Sequence, residues 1–138
     1  MLSNSNFLQR GLSVFLGFLA LATVMVVDAT EDLEGLRVRA EGRWAALIAG
    51  DFDQAYGFET PGYRELYTAQ QYRNRYGKGL RWQQARVVEM ELKSPKVASV
   101  TLEIEYSFHV SGQGMMSHKG PVTETWVRIE GQWWYQFQ

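Results

Sequence analysis

The chain has no cysteine. Disulfide frameworks, thiol nucleophiles and thiolate metal sites are excluded together, and the redox compartment is left open. Histidine is almost as scarce. His109 and His118 are the only two, and they lack close carboxylates, so neither a metal nor any other cofactor is expected. An excess of charge is missing as well. Fourteen Lys and Arg against fifteen Asp and Glu leave a net charge of −1, which provides no global field toward nucleic acid, and nucleic acid is not expected as a partner. There is no internal repeat, no low-complexity linker, no phosphate-cradling glycine loop and no nucleophile with an adjacent base.

What is present is one domain's worth of chain, 138 residues, with 14% aromatics concentrated after position 43. Residues 12–27 are uncharged. Arg10 precedes them and Asp28, Glu31, Asp32 and Glu34 follow. That polarity predicts a single pass through a bacterial inner membrane, with the N-terminus cytoplasmic and the domain periplasmic. The alternative is a signal peptide cleaved near Ala29, after which the domain is secreted to the periplasm. The division is therefore 1–29 as anchor or signal and 30–138 as domain.

Asp28 to Gly50 reads as an amphipathic helix. Leu33, Leu36, Ala40, Trp44, Leu47 and Ile48 recur at three- and four-residue spacing, and Arg37, Arg39, Glu41 and Arg43 fall elsewhere. Asp51 with Gln54 caps a second short helix carrying Phe52, Ala55 and Tyr56. Thr60-Pro61-Gly62 reads as a turn, and Thr68 with Gln71 opens a third helix closed by Gly77. Strands begin near Leu80, with Trp82, Val88, Met90 and Leu92 in one phase. After a turn at Ser94-Pro95-Lys96, Val100, Leu102, Ile104, Tyr106, Phe108 and Val110 alternate with Ser99, Thr101, Glu103, Glu105, Ser107 and His109. Ser111 to Gly120 reads as a loop holding His118. Glu130-Gly131 then turns a final hairpin that sets Arg128 opposite Trp133, Trp126 opposite Tyr135 and Val127 opposite Trp134. The fold class is α+β: an N-terminal hydrophobic helix, then about three helices packed on a curved antiparallel sheet in a cone.

Three stretches carry a resemblance. Trp44 to Tyr56 ends a helix in Gly-Asp-Phe, Gly77 to Trp82 leads into the strands, and Glu124 to Trp133 forms a hairpin of Trp, Glu-Gly, Trp type. Over residues 31–138 the chain resembles the nuclear-transport-factor-2-like superfamily, also called the cystatin-like cone fold. That resemblance implies relatives among polyketide cyclases, ketosteroid isomerases, dehydratases and non-catalytic binding domains. Its enzymes use an Asp, Glu or His at the bottom of the cone with Tyr or Trp donors. A membrane-anchored form is also similar to inner-membrane assembly factors of type IV secretion, which are longer.

Against that pattern, Glu103, Glu105 and His109 fall in the polar phase of their strand and read as a solvated face. Glu124 shares the phase of Trp126, where a rim salt bridge to a lysine or arginine is the simpler expectation. Arg73, Arg75, Lys78, Arg81 and Arg86 form the one basic concentration and read as a solvated helix end and strand start. The aromatic hairpin stands out more. Trp126, Arg128, Trp133, Tyr135 and Phe137 form a candidate interaction face, with Arg128 able to stack on Trp133. The expectation is a non-catalytic module that binds a protein partner or a second copy through its sheet, not an enzyme. The alternative is a small enzyme or carrier with an apolar ligand in a cone lined by Trp44, Tyr56, Tyr72 and Tyr106.

Overall fold

A computed structural model describes residues 29–76 and 79–138. Residues 12–27, Asp28, Gly77 and Lys78 lie outside the described residues, and so do the anchor and signal expectations. Among the described residues no helix is long and apolar enough to cross a membrane.

Helix α1 (Ala29–Ala49) is followed by α2 (Phe52–Tyr56), α3 (Pro61–Leu66) and α4 (Ala69–Tyr76). Strands β1 (Leu80–Ser94), β2 (Val97–Val110), β3 (Gly114–Ile129) and β4 (Gln132–Gln136) then form one antiparallel sheet in the order β1-β2-β3-β4. The helix starts follow local chemistry. Asp51 accepts from the Gln54 N–H, and Thr68 and Gln71 bond reciprocally, each satisfying N–H groups a helix start leaves orphaned. Thr60-Pro61-Gly62 is not a free turn. Thr60 caps α3 and Pro61 takes its first position, where a missing N–H costs nothing.

The even-numbered residues of β2 and β3 face the helices. Ala98, Val100, Leu102 and Ile104 pack there with Trp126 and Trp133, against Leu36, Ala40, Trp44 and Leu47 of α1 and Tyr72 of α4. The opposite face is polar over much of its area: Thr101 and Thr123 share a hydrogen bond, and Glu103 pairs with Lys119 and Arg86. Two expectations change here. A register shift between Trp82 and Gln84 inverts the alternation downstream of it and turns Val87 inward, and a second shift between Val87 and Glu89 restores the phase for Met90 and Leu92 and leaves Val88 48% exposed. The stretch Ser111 to Gly120 is mostly strand. Only Ser111–Gln113 turns, and β3 then pairs with β2 all the way from Gly114 against Val110.

The last hairpin keeps its expected register, with Arg128 opposite Trp133, Val127 opposite Trp134 and Trp126 opposite Tyr135. Glu130 (φ 50°) and Gly131 (φ 79°) are both left-handed, the backbone of a type I′ turn. A Cβ on Gly131 would meet nothing within 4 Å, so Gly131→Ala strains the backbone without a clash. It is expected to lower stability by about 1 kcal/mol, whereas Glu130→Asn, with its better tolerance of positive φ, raises it by a few tenths. Urea denaturation of the two variants checks the opposite signs.

Candidate functional site

Helix α1 crosses the inner face of the sheet and sends two sequence neighbours, Arg43 and Trp44, into it. Arg43 is 1% exposed, although a charge read from spacing alone belongs on the wet side. Its burial is possible because β3 presents Glu124, also buried, in the inward phase between Val122 and Trp126. Arg43 Nη1 donates to Glu124 Oε1 at 2.8 Å, and Trp44 Nε1 donates to the same oxygen at 2.8 Å. Trp126 Nε1 donates to Glu124 Oε2 at 3.0 Å. Both carboxylate oxygens are thus occupied. The guanidinium lies over the Tyr135 ring, 3.6 Å from its centroid, and Nη2 reaches the Tyr76 hydroxyl at 3.5 Å. Glu124 is therefore not a rim residue; its arginine partner is at the bottom of the cone.

A second carboxyl, Glu59, approaches the other side of Arg43, with Oε1 3.9 Å from Nη2. It is held there by backbone: Tyr135 N–H donates to the Phe58 carbonyl at 2.8 Å, and Thr60 N–H donates to the Tyr135 carbonyl at 3.3 Å. This short parallel bridge along β4 fixes the link between α2 and α3. Glu59 is fully buried, and among the described residues neither of its oxygens nor the nearby Tyr72 hydroxyl has a hydrogen-bond partner. Burial pushes the Glu59 carboxyl up to about 7, against the pull of Arg43. Burial also pushes Glu124 up, opposed by Arg43 and the two indole donors. Arg43 moves the other way. Burial alone would lower it, but Glu124 and the surrounding tyrosine oxygens hold it above its ordinary value. One guanidinium therefore sits between two carboxyls in a low-dielectric interior. Glu124, with three donors, keeps the negative charge; Glu59, with none, is the one to take a proton.

Beside this cluster is a cleft of about 160 Å³ lined by Arg43, Trp44, Leu47, Tyr76, Trp82, Ile104, Val122, Glu124 and Tyr135. Of the four residues expected to line a ligand pocket, Trp44 is on its wall. Tyr72 is fully buried, packed edge-on or tilted against Tyr56, Tyr63 and Tyr76. Tyr56 is tied to the chain by donating its hydroxyl to the carbonyls of Tyr67 (2.7 Å) and Arg64 (3.2 Å). Tyr106 lies farther along the face, against Trp82 and His118, in a separate depression of about 100 Å³. His118 is thus a strand residue and not a loop one.

The five residues of the expected interaction face are also dispersed. Trp126 and Trp133 are core side chains, 0% and 3% exposed. Tyr135 is half-buried under Arg43. Arg128 donates to Asp32 at 2.5 Å and lies 6.0 Å from the Trp133 centroid. Phe137 is the one exposed member, packed on Tyr63 with Arg75 over its ring. In the basic stretch, Arg73 pairs with Asp53, Arg86 with Glu103, and Arg75 donates to the Tyr63 hydroxyl. Among the described residues no group of three or more His, Asp or Glu is placed to hold a metal ion. Spacing did not single out Arg43, Glu59 or Tyr76; the available signal was that Arg43 directly precedes an inward tryptophan.

No family model matches the sequence, and neither does any curated protein. Solved structures do. A member of the nuclear-transport-factor-2-like family from Streptomyces avermitilis superposes with a TM-score of 0.58 at 10% identity, over 78% of this chain and 93% of that one. A ketosteroid isomerase-like protein from Erwinia carotovora atroseptica gives 0.54 at 14% identity, over 77% and 92%. A nuclear-transport-factor-2-like protein of unknown function from Shewanella oneidensis gives 0.50 at 16%, over 75% and 93%. At these identities the likeness defines the fold, that of the nuclear-transport-factor-2-like cone, and nothing about chemistry.

Proposed function

We propose that this domain is a non-catalytic binding or interaction module, held at the periplasmic face of a bacterial inner membrane by residues 12–27 and acting as an accessory or scaffold subunit of a membrane assembly. One observation carries the non-catalytic part. Glu124 is the sole carboxylate lining the cleft, and both its oxygens are engaged by Arg43, Trp44 and Trp126. A base so tied cannot accept a substrate proton without first breaking a buried ion pair. The cleft, at about 160 Å³, is also well below the roughly 300–1,000 Å³ of ordinary small-molecule sites. The uncharged run with Arg10 before it and acidic residues after it supports the anchor. On the aromatic hairpin, a protein partner or second copy would reach Phe137, Arg128 and the edge of Tyr135.

A second reading draws on the same cleft. Its walls of Trp44, Leu47, Trp82, Ile104 and Val122 suit an apolar molecule of about one ring, since an engineered apolar cavity of about 150 Å³ takes benzene. In that case the domain is a small periplasmic carrier.

The test is the intact mass of the protein from bacterial membranes, with its native mass in mild detergent. The module reading expects the N-terminal segment to be retained and the mass to exceed that of one chain. A chain starting near Thr30, alone and monomeric, would contradict it and put the carrier first.

A further inference from the structure

Among the described residues, Arg39 and Arg64 have no acidic partner. Every other buried or half-buried arginine among the described residues has one: Arg37 pairs with Glu34 and Glu41, Arg43 with Glu124, Arg73 with Asp53 and Arg128 with Asp32. Arg39 and Arg64 instead converge on a single indole. Each guanidinium carbon is 5.0 Å from the Trp134 centroid, so the two are at most twice that distance apart. Arg39 is also 4.8 Å from the Phe58 centroid. Among the described residues, the Nε of both arginines and the Nε1 of Trp134 find no acceptor.

Three elements and a loop bring these groups together: α1 gives Arg39, α3 gives Arg64, β4 gives Trp134, and the bridge along β4 gives Phe58. The aromatic faces offset part of each cation, but two like charges in one half-buried spot still repel. Burial, with that repulsion, holds the Arg39 guanidinium below its ordinary range. Covering Trp134 with an aliphatic stem explains one arginine. It does not explain two with no carboxylate between them, in a chain carrying fifteen acidic residues. Two planar donor forks around one indole match an anion with several oxygens, since a tetrahedral oxyanion can accept from two forks where a carboxylate fills one.

We propose that Arg39 and Arg64, grouped around Trp134, bind a phosphate-type oxyanion, either free on a small molecule or carried by a lipid headgroup. This site is separate from the cleft, and it holds whichever reading of the cleft is correct.

The experiment is calorimetric titration of the full 138-residue chain, in non-ionic detergent and phosphate-free buffer, with inorganic phosphate. Saturable binding is expected, weakened about tenfold by R39Q or R64Q and unchanged by R81Q, which alters an exposed arginine away from the cluster. The double variant R39K/R64K keeps charge and stem but loses both forks, and it should bind several-fold more weakly even if a glutamine variant folds poorly. No saturable binding up to millimolar phosphate, or wild-type affinity in the lysine pair, overturns the proposal. Vesicles of phosphatidylcholine with and without phosphatidic acid then separate the sources. Retention that needs phosphatidic acid and is lost in R39Q/R64Q assigns a headgroup. Phosphate binding without that dependence assigns a soluble phosphate compound.

Discussion

Arg43→Met is expected to cost about 3–5 kcal/mol of folding stability, the largest effect of any single change at the floor of the cone. Methionine keeps most of the stem that packs under Tyr135, so the loss is electrostatic and not a cavity. Without the guanidinium, Glu124 is left with only its two indole donors in a nearly dry site, and Glu59 loses the cation 3.9 Å away. An unpaired buried carboxylate is far more costly than the pair it came from is stabilising. The reverse follows for the combined change. In Arg43→Met with Glu124→Gln the uncompensated charge is gone, a glutamine oxygen can still accept from an indole N–H, and most of the loss should return. Urea denaturation of the two singles and the double closes this cycle. Near-additive losses would mean that Arg43 and Glu124 do not depend on one another, contrary to the 2.8 Å contact between them.

The second large effect is on pH dependence. Glu59 titrates near 7 in the fold, pushed there chiefly by burial, against an ordinary 4.5. Between those two values the folded chain binds a proton that the unfolded chain releases, so this group's stabilisation is complete below about pH 4.5 and is lost as pH rises through 7. The total is on the order of 3 kcal/mol. Glu59→Gln mimics the protonated acid at every pH. It should therefore match the wild type near pH 4.5 and exceed it in stability by up to that amount at pH 8. Thermal melts of both proteins across that range measure the difference directly. Equal stabilities at pH 8 would show that Glu59 is solvated or paired in a way its two partnerless oxygens do not indicate.

These two residues also show where the sequence stops being readable. The final hairpin was legible to the residue, since Glu130-Gly131 can turn only one way and the flanking alternation admits one register. Helix starts were legible for the same reason, because Asp51 and the Thr68 and Gln71 pair satisfy backbone groups within three residues of themselves. What failed depends on distant partners. Gly114 to Gly120 has the composition of a loop and becomes a strand because the full length of β2 is there to pair with it. Val88 carries the right side chain for the core and is turned out by a bulge that no local pattern announces. Arg43 reads as a surface charge until Glu124, 81 positions away, is seen beneath it. Glu59 sits between a phenylalanine and a capping threonine, and only the bridge to Tyr135 explains its burial. The hairpin aromatics stand out in the sequence, but Trp126 and Trp133 serve the core and leave Phe137 exposed.

A non-catalytic module requires the bottom of this cone to be a closed ion cluster and not an acid–base pair waiting for substrate. Carbon-13 NMR titration of the glutamate carboxyls, assigned with Glu59→Gln and Glu124→Gln, addresses that claim most directly. The predicted result is a Glu59 carboxyl changing protonation near pH 7, while Glu124 stays ionised and bonded to Arg43 through the same range. A Glu59 titrating at the ordinary 4.5, or a Glu124 whose signal follows added apolar ligand and pH as an open carboxylate would, would contradict it.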